Sequence, residues 1–281
     1  MNIMNIYKIF QAPLLAVLAA LLALTACHND DPQLTPPAKP AIKPTLPSGK
    51  GAAVKQIKHN GEVGDCYDWT LAYADGRLAS ASGMLRRGAL EDDMSYAYAL
   101  TFAYDAKGVT IAHSKGESIS VTLNASGCIE SMKAGLNEYT FTYTDGWLTG
   151  WSKIERTSSL GQVTRYYSSG TIGYEDGDLK TIVYLDTKDR VTKVTLTPSA
   201  DENINGLLPE TVTREMGIEG YEALYYGGFF GKAPAHLTAS VTKKAEDSDT
   251  PTTTNFVYTR RGENTVLCTY NEGRTTADYA Y

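Results

Sequence analysis

Apolar and polar residues alternate along most of the chain beyond residue 65. From Tyr96 to Tyr104, every second residue is aromatic or leucine, and alanine or threonine stands between them. The same alternation recurs around Trp69, Val121 and Phe141. A period of two places successive side chains on opposite faces of a β-strand, so each segment predicts a strand with one buried face. We expect about 12–16 strands, joined mostly by tight turns.

One hairpin turn occurs three times. The sequence Tyr-x-Asp-Gly-x-Leu spans Tyr73–Leu78, Tyr143–Leu148 and Tyr174–Leu179. Asp-Gly readily adopts the two positive φ angles of a type I′ turn, which connects adjacent antiparallel strands. The Tyr and Leu of each copy then lie opposite each other on one face. The pattern predicts an all-β fold, an antiparallel β-meander that forms a barrel or a strongly curved sheet.

One segment departs from this period. Between Gly217 and Phe230, large apolar residues fall near helical spacing, namely Ile218, Tyr221, Leu224, Tyr225 and Phe229. We interpret this as one short amphipathic helix that Gly227-Gly228 is expected to end. A sheet with many strands must close or be covered, so we expect the helix to cover one end or one face.

The first 26 residues have the form of a secretory signal. The apolar run Ala12–Leu24 follows Lys8 and is shorter than the ~20 residues of a membrane span. It leads into Thr25-Ala26-Cys27, which is typical of a lipoprotein cleavage site. We therefore predict a signal peptide at residues 1–26 and lipidation of Cys27. The alternative is a plain secreted protein with a free terminal cysteine.

Residues 27–51 are predicted to be a tether. They contain six of the 11 prolines and almost no large apolar residue, so they cannot bury a core. The acidic stretch His28–Asp31 resembles the surface-export signal of Bacteroidota lipoproteins, although an ordinary polar linker has the same composition. The folded domain is then expected to span residues 52–281, on the outer face of the outer membrane.

Charge and cysteine content restrict the partners. The net charge is −6, and loss of residues 1–26, whose one charged residue is Lys8, makes it −7. An acidic surface argues against a nucleic-acid partner. The remaining cysteines, Cys66, Cys128 and Cys268, match no metal motif. Small buried apolar residues are the favoured interpretation, and a disulfide between two of them stays open.

Recognisable catalytic chemistry is missing from the sequence. The four histidines, His28, His59, His113 and His236, are far apart and fit surface, turn or tether positions. The run Glu91-Asp92-Asp93 could bind calcium, but a solvated acidic loop is the favoured interpretation. Most carboxylates near turns serve turn geometry. We expect no enzyme, no metal site and no cofactor, although folding could bring together a glycosidase pair of carboxylates.

Two tryptophans offer a hint of ligand binding. If Phe141 and Leu148 face the core, strict alternation places Trp147 and Trp151 on the outer face, ~13 Å apart. Two exposed indoles at this spacing can stack on successive sugar rings, which makes both residues candidate ligand contacts. The alternative is that both pack beneath the helix or a loop, as large aromatic residues usually do.

A combination of features is shared with a known family. The lipobox, the acidic start, the proline-rich tether, the Tyr-x-Asp-Gly-x-Leu hairpins and the segment Tyr226–Leu237 resemble gut Bacteroidota lipoproteins that carry a domain of unknown function described as porin-like. YD-repeat proteins share the hairpin motif, whereas the late segment is more distinctive. The resemblance spans nearly the whole chain. It implies an antiparallel, barrel-like β domain and no known activity.

These observations predict a lipid-anchored envelope protein without catalytic activity. We expect it to bind a glycan, a peptide or a partner protein at the cell surface. The alternatives are an accessory subunit docked on an outer-membrane complex and a glycan hydrolase. Many predicted strands have about seven residues, fewer than the ~9–11 that cross a bilayer, so we do not expect the barrel to insert. The aromatic ending Tyr279-Ala-Tyr281 is a contrary sign.

Overall fold

The alternating segments form 17 strands within the residues that the structure, a computed structural model, describes: 44–61, 66–86, 97–105, 108–116, 118–159 and 162–281. The strands are β1 (Gln56–Gly61), β2 (Cys66–Ala74), β3 (Arg77–Arg86), β4 (Ala97–Asp105), β5 (Gly108–His113), β6 (Ser118–Leu123), β7 (Ile129–Ala134), β8 (Asn137–Thr144), β9 (Trp147–Ser159), β10 (Gln162–Glu175), β11 (Asp178–Leu185), β12 (Val191–Glu202), β13 (His236–Ala245), β14 (Thr252–Asn255), β15 (Val257–Arg261), β16 (Thr265–Tyr270) and β17 (Thr275–Ala280). Two short helices, α1 (Glu210–Glu215) and α2 (Glu222–Tyr226), separate β12 from β13, and a 3₁₀ turn at Asn271–Gly273 precedes β17.

The sheet is a meander that returns to its own start. Every pairing is antiparallel, and β1 pairs with both β2 and β17. β14 pairs with β13 and β15 pairs with β16, and only Phe256 separates these two strands in the chain. The result is a nearly closed, barrel-like sheet, which confirms the predicted fold class. The number of strands is slightly higher than the expected 12–16, because one stretch of extended chain is interrupted at Phe256 and forms both β14 and β15.

The three repeated hairpins have the predicted turn. Asp75, Asp145 and Asp176 have φ angles of 51–53°, and the glycines that follow them have φ of 71–84°. Each Tyr lies opposite its Leu in the register. All three copies also contain a β-bulge next to this pair, and the sequence motif does not predict it. A bulge adds one residue to one strand and thereby reverses which face the following residues occupy.

The inner and outer faces of the wall differ in polarity. Side chains that point inwards are apolar and nearly fully buried, as for Leu100, Phe141, Ile182, Val194 and Tyr279. Outward positions on the same strands are polar, and Thr101, Thr140, Thr142 and Lys193 are exposed. Thr276 on β17 is partly exposed. A sheet that hides its apolar face inside must fill that interior with packed side chains.

The segment Asn203–Phe230, here called the plug, fills the interior. Ten of its large apolar side chains are at most 3% exposed, namely Leu207, Leu208, Val212, Met216, Ile218, Leu224, Tyr225, Tyr226, Phe229 and Phe230. Phe229 stacks on Phe102 of β4, Phe230 packs edge-on against Phe141 of β8, and the Tyr279 hydroxyl of β17 donates to the Leu208 carbonyl. The plug therefore contacts inward residues on widely separated strands.

The plug corrects the prediction of one helix covering an end or a face. It contains two short helices, and both lie inside the wall. Its polar residues are buried along with the apolar ones, since Thr213 is 0% exposed and Glu222 is 5% exposed. An amphipathic pattern predicts one solvent-facing side, but every residue of α2 is buried. Solvent reaches the stretch before α2, where the Arg214 and Glu219 side chains are 37% and 47% exposed. No helix among the described residues is long and apolar enough to cross a membrane.

The folded domain begins earlier than the predicted boundary at residues 51/52. Pro44–Gly51, here called the lead-in, packs against the plug, and Ser48 is 7% exposed. Gly51 donates its backbone N–H to the Ile204 carbonyl at 2.8 Å. A side chain at Gly206 (φ +66°) would overlap the backbone of Pro47, so close packing and backbone angle both require glycine there. The last part of the predicted tether therefore belongs to the domain.

The cysteines among the described residues are free and buried. Cys66, Cys128 and Cys268 are at most 5% exposed, and none forms a disulfide. Burial raises the pKa of each thiol, which keeps it protonated and unreactive at neutral pH. This confirms the prediction of small buried apolar residues.

Candidate functional site

The three Asp-Gly turns lie at one end of the barrel, here called the turn end, and the plug leaves through it. Lys232 donates its backbone N–H to the Gly146 carbonyl at 2.9 Å, and Ala235 does the same to Gly177 at 2.9 Å. In a meander, alternate turns lie at the same end, and the start of β1 lies there too. The lead-in, the end of β12 and the start of β13 therefore converge at the turn end.

A cleft opens where these three segments meet. Its volume is about 420 Å³, within the ~300–1,000 Å³ typical of ligand sites. It is lined by Pro47, Ser48, Gly49, Lys50, Glu202, Asn203, Ile204, Ala233, Pro234, Ala235 and His236. The two prolines, Ile204 and the alanines form apolar walls, and the charged side chains are few. This combination of apolar walls and a few polar groups is characteristic of small-molecule sites.

An ion pair borders the cleft. Lys50 Nζ lies 2.6 Å from Glu202 Oε1, and both side chains are more than half exposed. The hydrogen bond to Lys50 lowers the pKa of Glu202, and the same bond raises the pKa of Lys50. Both groups therefore stay charged at neutral pH. Because the pair is exposed, its net contribution to stability is small, and a ligand can exchange with it at little cost.

His236 is held at the cleft by a buried carboxylate. Asp178, which is 6% exposed, accepts the His236 backbone N–H at 2.9 Å and contacts ring Nδ1 at 3.0 Å. An ionised carboxylate only accepts hydrogen bonds, so Nδ1 carries a proton in this contact. Because Asp178 occupies Nδ1, Nε2 is the ring nitrogen that remains for a ligand. The His236 side chain is 41% exposed, so a ligand can reach it.

The backbone around the cleft is fixed by buried amides. The Asn203 side chain accepts the Leu207 N–H at 2.7 Å and donates to the Leu207 carbonyl at 3.0 Å. The Asn205 side chain donates to the Ala52 carbonyl at 2.9 Å, which ties the lead-in to the plug. The cleft is therefore a preformed recess, bounded on three sides by hydrogen-bonded backbone.

A second cluster of ionisable groups lies inside the barrel. Glu222 accepts hydrogen bonds from the Trp69 indole at 3.1 Å and from the Thr213 hydroxyl at 3.2 Å. Glu210 pairs with Arg214 on the same helix. The recess beside these residues measures about 10 Å³, room for about one water molecule. The buried Nε2 of His59 borders it and has no hydrogen-bond partner among the described residues. Among the described residues, no three His, Cys, Asp or Glu side chains converge as a metal site.

The buried carboxylates predict a pH-dependent stability. Burial raises the pKa of Glu210 to about 7 and also raises the pKa of Glu222. A raised carboxyl pKa stabilises the fold at low pH, and this stability is lost as the pH rises through the folded pKa. The free energy of unfolding is therefore expected to be on the order of 2–3 kcal/mol lower at about pH 8 than at about pH 5. Urea titrations across this range measure the difference.

The matched variants are Glu210→Gln and Glu219→Gln. Glu219 bonds the same Arg214 at 3.0 Å but is 47% exposed. Glu210→Gln should remove a large part of the pH dependence between about pH 5 and 8, and Glu219→Gln should leave it unchanged. An unchanged slope in Glu210→Gln would contradict the assignment.

The two predicted ligand-contact tryptophans do not form an outward-facing pair. The bulge at Thr149 shifts the register, so Trp151 lies opposite Phe141. The Trp151 ring packs beside Gly217 of the plug, which means that it faces inwards. The predicted outward position of Trp151 is therefore wrong, because strict alternation does not survive a bulge. Trp147 lies at the turn end, half-buried against Tyr174.

Other candidate residues have varied outcomes. Cys27 and Glu91-Asp92-Asp93 lie outside the described residues. His59 was expected at the surface or in a turn, but it lies on β1 and is 2% exposed, which corrects that expectation. Its Nδ1 contacts Asp68 at 3.2 Å. His113 is partly exposed and stacks on Tyr98.

The cleft was not predicted from the sequence. Its residues come from three distant stretches of the chain, and Asp178 reaches His236 across 58 positions. One signal was present: the variable position before Leu in the hairpin motif is Arg77, Trp147 and Asp178 in the three copies. Asp178 is the only acidic residue at this position of the three motif copies, which suggests a specific role for its carboxylate. The sequence did not show that His236 would be its partner.

Comparisons with known proteins agree with this architecture. A family model described as "Domain of unknown function (DUF4595) with porin-like fold" matches residues 71–268. Among solved structures, a porin-like protein from Bacteroides uniformis ATCC 8492 is similar, with a TM-score of 0.58, 20% identity and coverage of 81% of this chain and 97% of that chain. A porin-like protein from Bacteroides vulgatus ATCC 8482 has a TM-score of 0.52, 13% identity and coverage of 82% and 99%.

At these identities the two structures establish the fold alone. No curated protein matches the chain. The family model covers well over half of the sequence, including the repeated hairpins and the plug. This chain therefore belongs to the family of domains of unknown function with a porin-like fold.

Proposed function

We propose that this protein is a lipid-anchored envelope protein that binds a small polar ligand in the turn-end cleft without catalysis. The observation that carries the proposal is the filled interior. The plug occupies the space through which a porin conducts solutes, whereas the turn end carries a cleft of about 420 Å³. Binding at the turn end, rather than transport through the barrel, is the function that this geometry supports best.

The polarity of the wall supports the same conclusion. A membrane-spanning barrel has an apolar outer band and a polar lumen. Here the outward positions carry threonine, lysine and glutamate, and the inward positions are aromatic and aliphatic. We therefore expect no ion conductance when the purified protein is added to a planar lipid bilayer. The bilayer contact would come from lipid on Cys27.

The chemistry of the cleft suits a hydroxyl-rich ligand such as a mono- or disaccharide. Lys50 supplies donors, Glu202 supplies acceptors, and His236 Nε2 adds a further polar contact, while Pro47 and Pro234 offer apolar surface. Sugars present both hydroxyl groups and apolar C–H faces. A hydrolase is less well supported, because both carboxylates near the cleft are already paired, Glu202 with Lys50 and Asp178 with His236.

A ligand screen on the mature chain tests the proposal. We expect hits from a glycan array that also raise the melting temperature, and His236→Ala should weaken binding by about tenfold, the scale of one lost polar contact. His113→Ala, which changes a partly exposed histidine far from the cleft, is the control. Binding that is equal in both variants, or no glycan hit from a well-folded protein, would reject the cleft as a sugar site.

The anchor needs its own test. In cells fed radiolabelled palmitate, the wild-type chain should incorporate label, and Cys27→Ser should not. The lead-in brings the chain into the domain at the turn end, so the tether is attached at the end that bears the cleft. Label that persists in Cys27→Ser would show that the anchor lies elsewhere.

A further inference from the structure

The longest hairpin extends beyond the barrel. β9 and β10 pair from Gly150 opposite Thr171 to Ser159 opposite Gln162. The neighbouring strand β8 pairs with β9 only as far as Ile154, and β11 pairs with β10 only as far as Ser169. Beyond these positions, within the part of the chain that the structure describes, the two strands pair only with each other. This extension, here called the ribbon, comprises residues 155–159 and 162–168.

The ribbon lies at the end opposite the cleft. β9 starts at the Asp145-Gly146 turn and β10 ends at the Asp176-Gly177 turn, so the far end of this hairpin is remote from both turns. The lead-in enters at the turn end. The ribbon therefore projects away from the point where the tether joins the domain, and a partner at the ribbon would not compete with a ligand in the cleft.

The outer edge of β10 is left open for pairing. Among the described residues, no strand lies beside residues 162–168 on the β11 side, so alternate backbone N–H and C=O groups along this edge have no ladder partner there. Proteins usually protect such edges with proline, lysine, bulges or a covering segment. This edge has no proline or lysine, and Val163, Tyr166 and Tyr167 are 60%, 41% and 57% exposed.

Charge identifies what the edge would accept. Val163, Arg165 and Tyr167 share one face of β10, because side chains alternate along a strand. Within the described part of the chain, Arg165 has no hydrogen-bond or ion-pair partner, whereas its cross-strand neighbour Arg156 bonds Glu138 at 2.8 Å. The nearby Glu138 carboxylate is hydrogen-bonded to Arg156, and the charge of Arg165 also helps to lower its pKa. One carboxylate thus faces two guanidinium groups, and a guanidinium between two exposed apolar side chains is complementary to an acidic residue between two apolar ones.

The same charge disfavours a second copy of this chain. If residues 162–168 of two copies paired antiparallel over their full length, Arg165 would lie directly opposite its counterpart. Arg156 already lies opposite Arg165 on the other side. Like charges directly opposite each other destabilise a sheet. The Arg156 and Arg165 side chains of the two copies would form a row of four guanidinium groups with only the two Glu138 carboxylates nearby, which would oppose this dimer.

We propose that the β10 edge at residues 162–168 binds an extended segment of a partner protein by strand addition. The segment places an acidic side chain opposite Arg165 and apolar side chains two residues away on each side, opposite Val163 and Tyr167. Backbone hydrogen bonds provide affinity and the alternating side chains provide selectivity, as in other cases where a peptide extends a sheet. This site is independent of the sugar cleft.

A peptide panel on the full mature chain tests the proposal. The probes are fluorescein-labelled heptapeptides Thr-X-Thr-Z-Thr-X-Thr, with X as Val, Leu, Phe or Tyr and Z as Glu, Asp, Thr or Lys. By fluorescence polarisation, acidic Z should bind about tenfold more tightly than Lys, since opposite charges favour and like charges oppose cross-strand pairing. In Arg165→Glu the order should reverse. Lys193→Glu, an exposed charge change on the fully paired strand β12, should keep the original order.

Hydrogen exchange locates the bound peptide. We expect new amide protection at residues 162–168 and none at the cleft. Absence of binding by every peptide, affinity independent of Z or of residue 165, or protection confined to other strands would overturn the proposal. Concentration-dependent dimerisation that protects residues 162–168 without peptide would also overturn it, because a second copy would then occupy the edge.

Discussion

Replacing Leu207–Phe230 by a short Gly-Ser linker is expected to abolish cooperative folding of the domain. Ten large apolar side chains of the plug are at most 3% exposed. Each contributes about 1.5–3 kcal/mol when buried, so their sum of roughly 15–30 kcal/mol equals or exceeds the ~5–15 kcal/mol that stabilises a typical domain. The inward aromatic residues of the wall would also face water. Loss of the near-ultraviolet circular dichroism signal and of a cooperative calorimetric transition would report this outcome.

The plug deletion distinguishes a core from a gate. A control chain that lacks residues 157–164 should still unfold cooperatively, because Thr157, Ser158 and residues 162–164 are exposed. If the plug-deleted chain instead kept a cooperative transition and conducted ions in a planar bilayer, the plug would be a removable gate, and the proposal of a closed interior would fail.

Trp69→Ala is expected to destabilise the domain by about 3–5 kcal/mol. The Trp69 side chain is 1% exposed, and its ring centroid lies 5.5 Å from that of Tyr67. Its indole N–H donates a hydrogen bond to the Glu222 carboxylate. Its loss leaves a cavity beside Gly83 and removes one donor from a carboxylate that is buried in the core. Urea unfolding monitored by circular dichroism measures the change.

A second variant separates packing from hydrogen bonding at this position. Trp69→Phe keeps a six-membered aromatic ring and removes the pyrrole part of the indole with its N–H donor, so we expect a smaller loss of about 1–3 kcal/mol. Tyr166→Ala, on the exposed ribbon, should change stability by no more than about 0.5 kcal/mol. Equal losses in Trp69→Ala and Tyr166→Ala would show that the plug does not depend on Trp69.

The porin-like description concerns the path of the chain and not its polarity. The meander, the strand pairing and the closure between β1 and β17 produce a barrel-like outline. The inward row of aromatic side chains and the plug convert the space inside into a packed core. This difference explains why the functional proposals concern the two ends of the barrel, with the cleft at one and the ribbon at the other.

Local sequence patterns predicted the local structure well. The period of two around Phe102 and Phe141 predicted strands, and the Asp-Gly motifs predicted type I′ turns with their Tyr–Leu pairs. These features depend on side-chain alternation and backbone angles within a few residues. For the same reason the barrel-like β fold and the burial of the three cysteines could be predicted before any long-range contact was known.

Features that depend on long-range contacts could not be predicted in the same way. One extra residue at Thr149 turned Trp151 inwards, and a helical pattern near Leu224 did not reveal that the wall would surround it. By itself, the sequence determined the strands, their turns and the alternation of apolar side chains, because those are set by neighbouring residues. Only the tertiary structure decided that the interior is filled, that Asp178 meets His236, and that the β10 edge is open, because each requires segments far apart in the chain to be placed side by side.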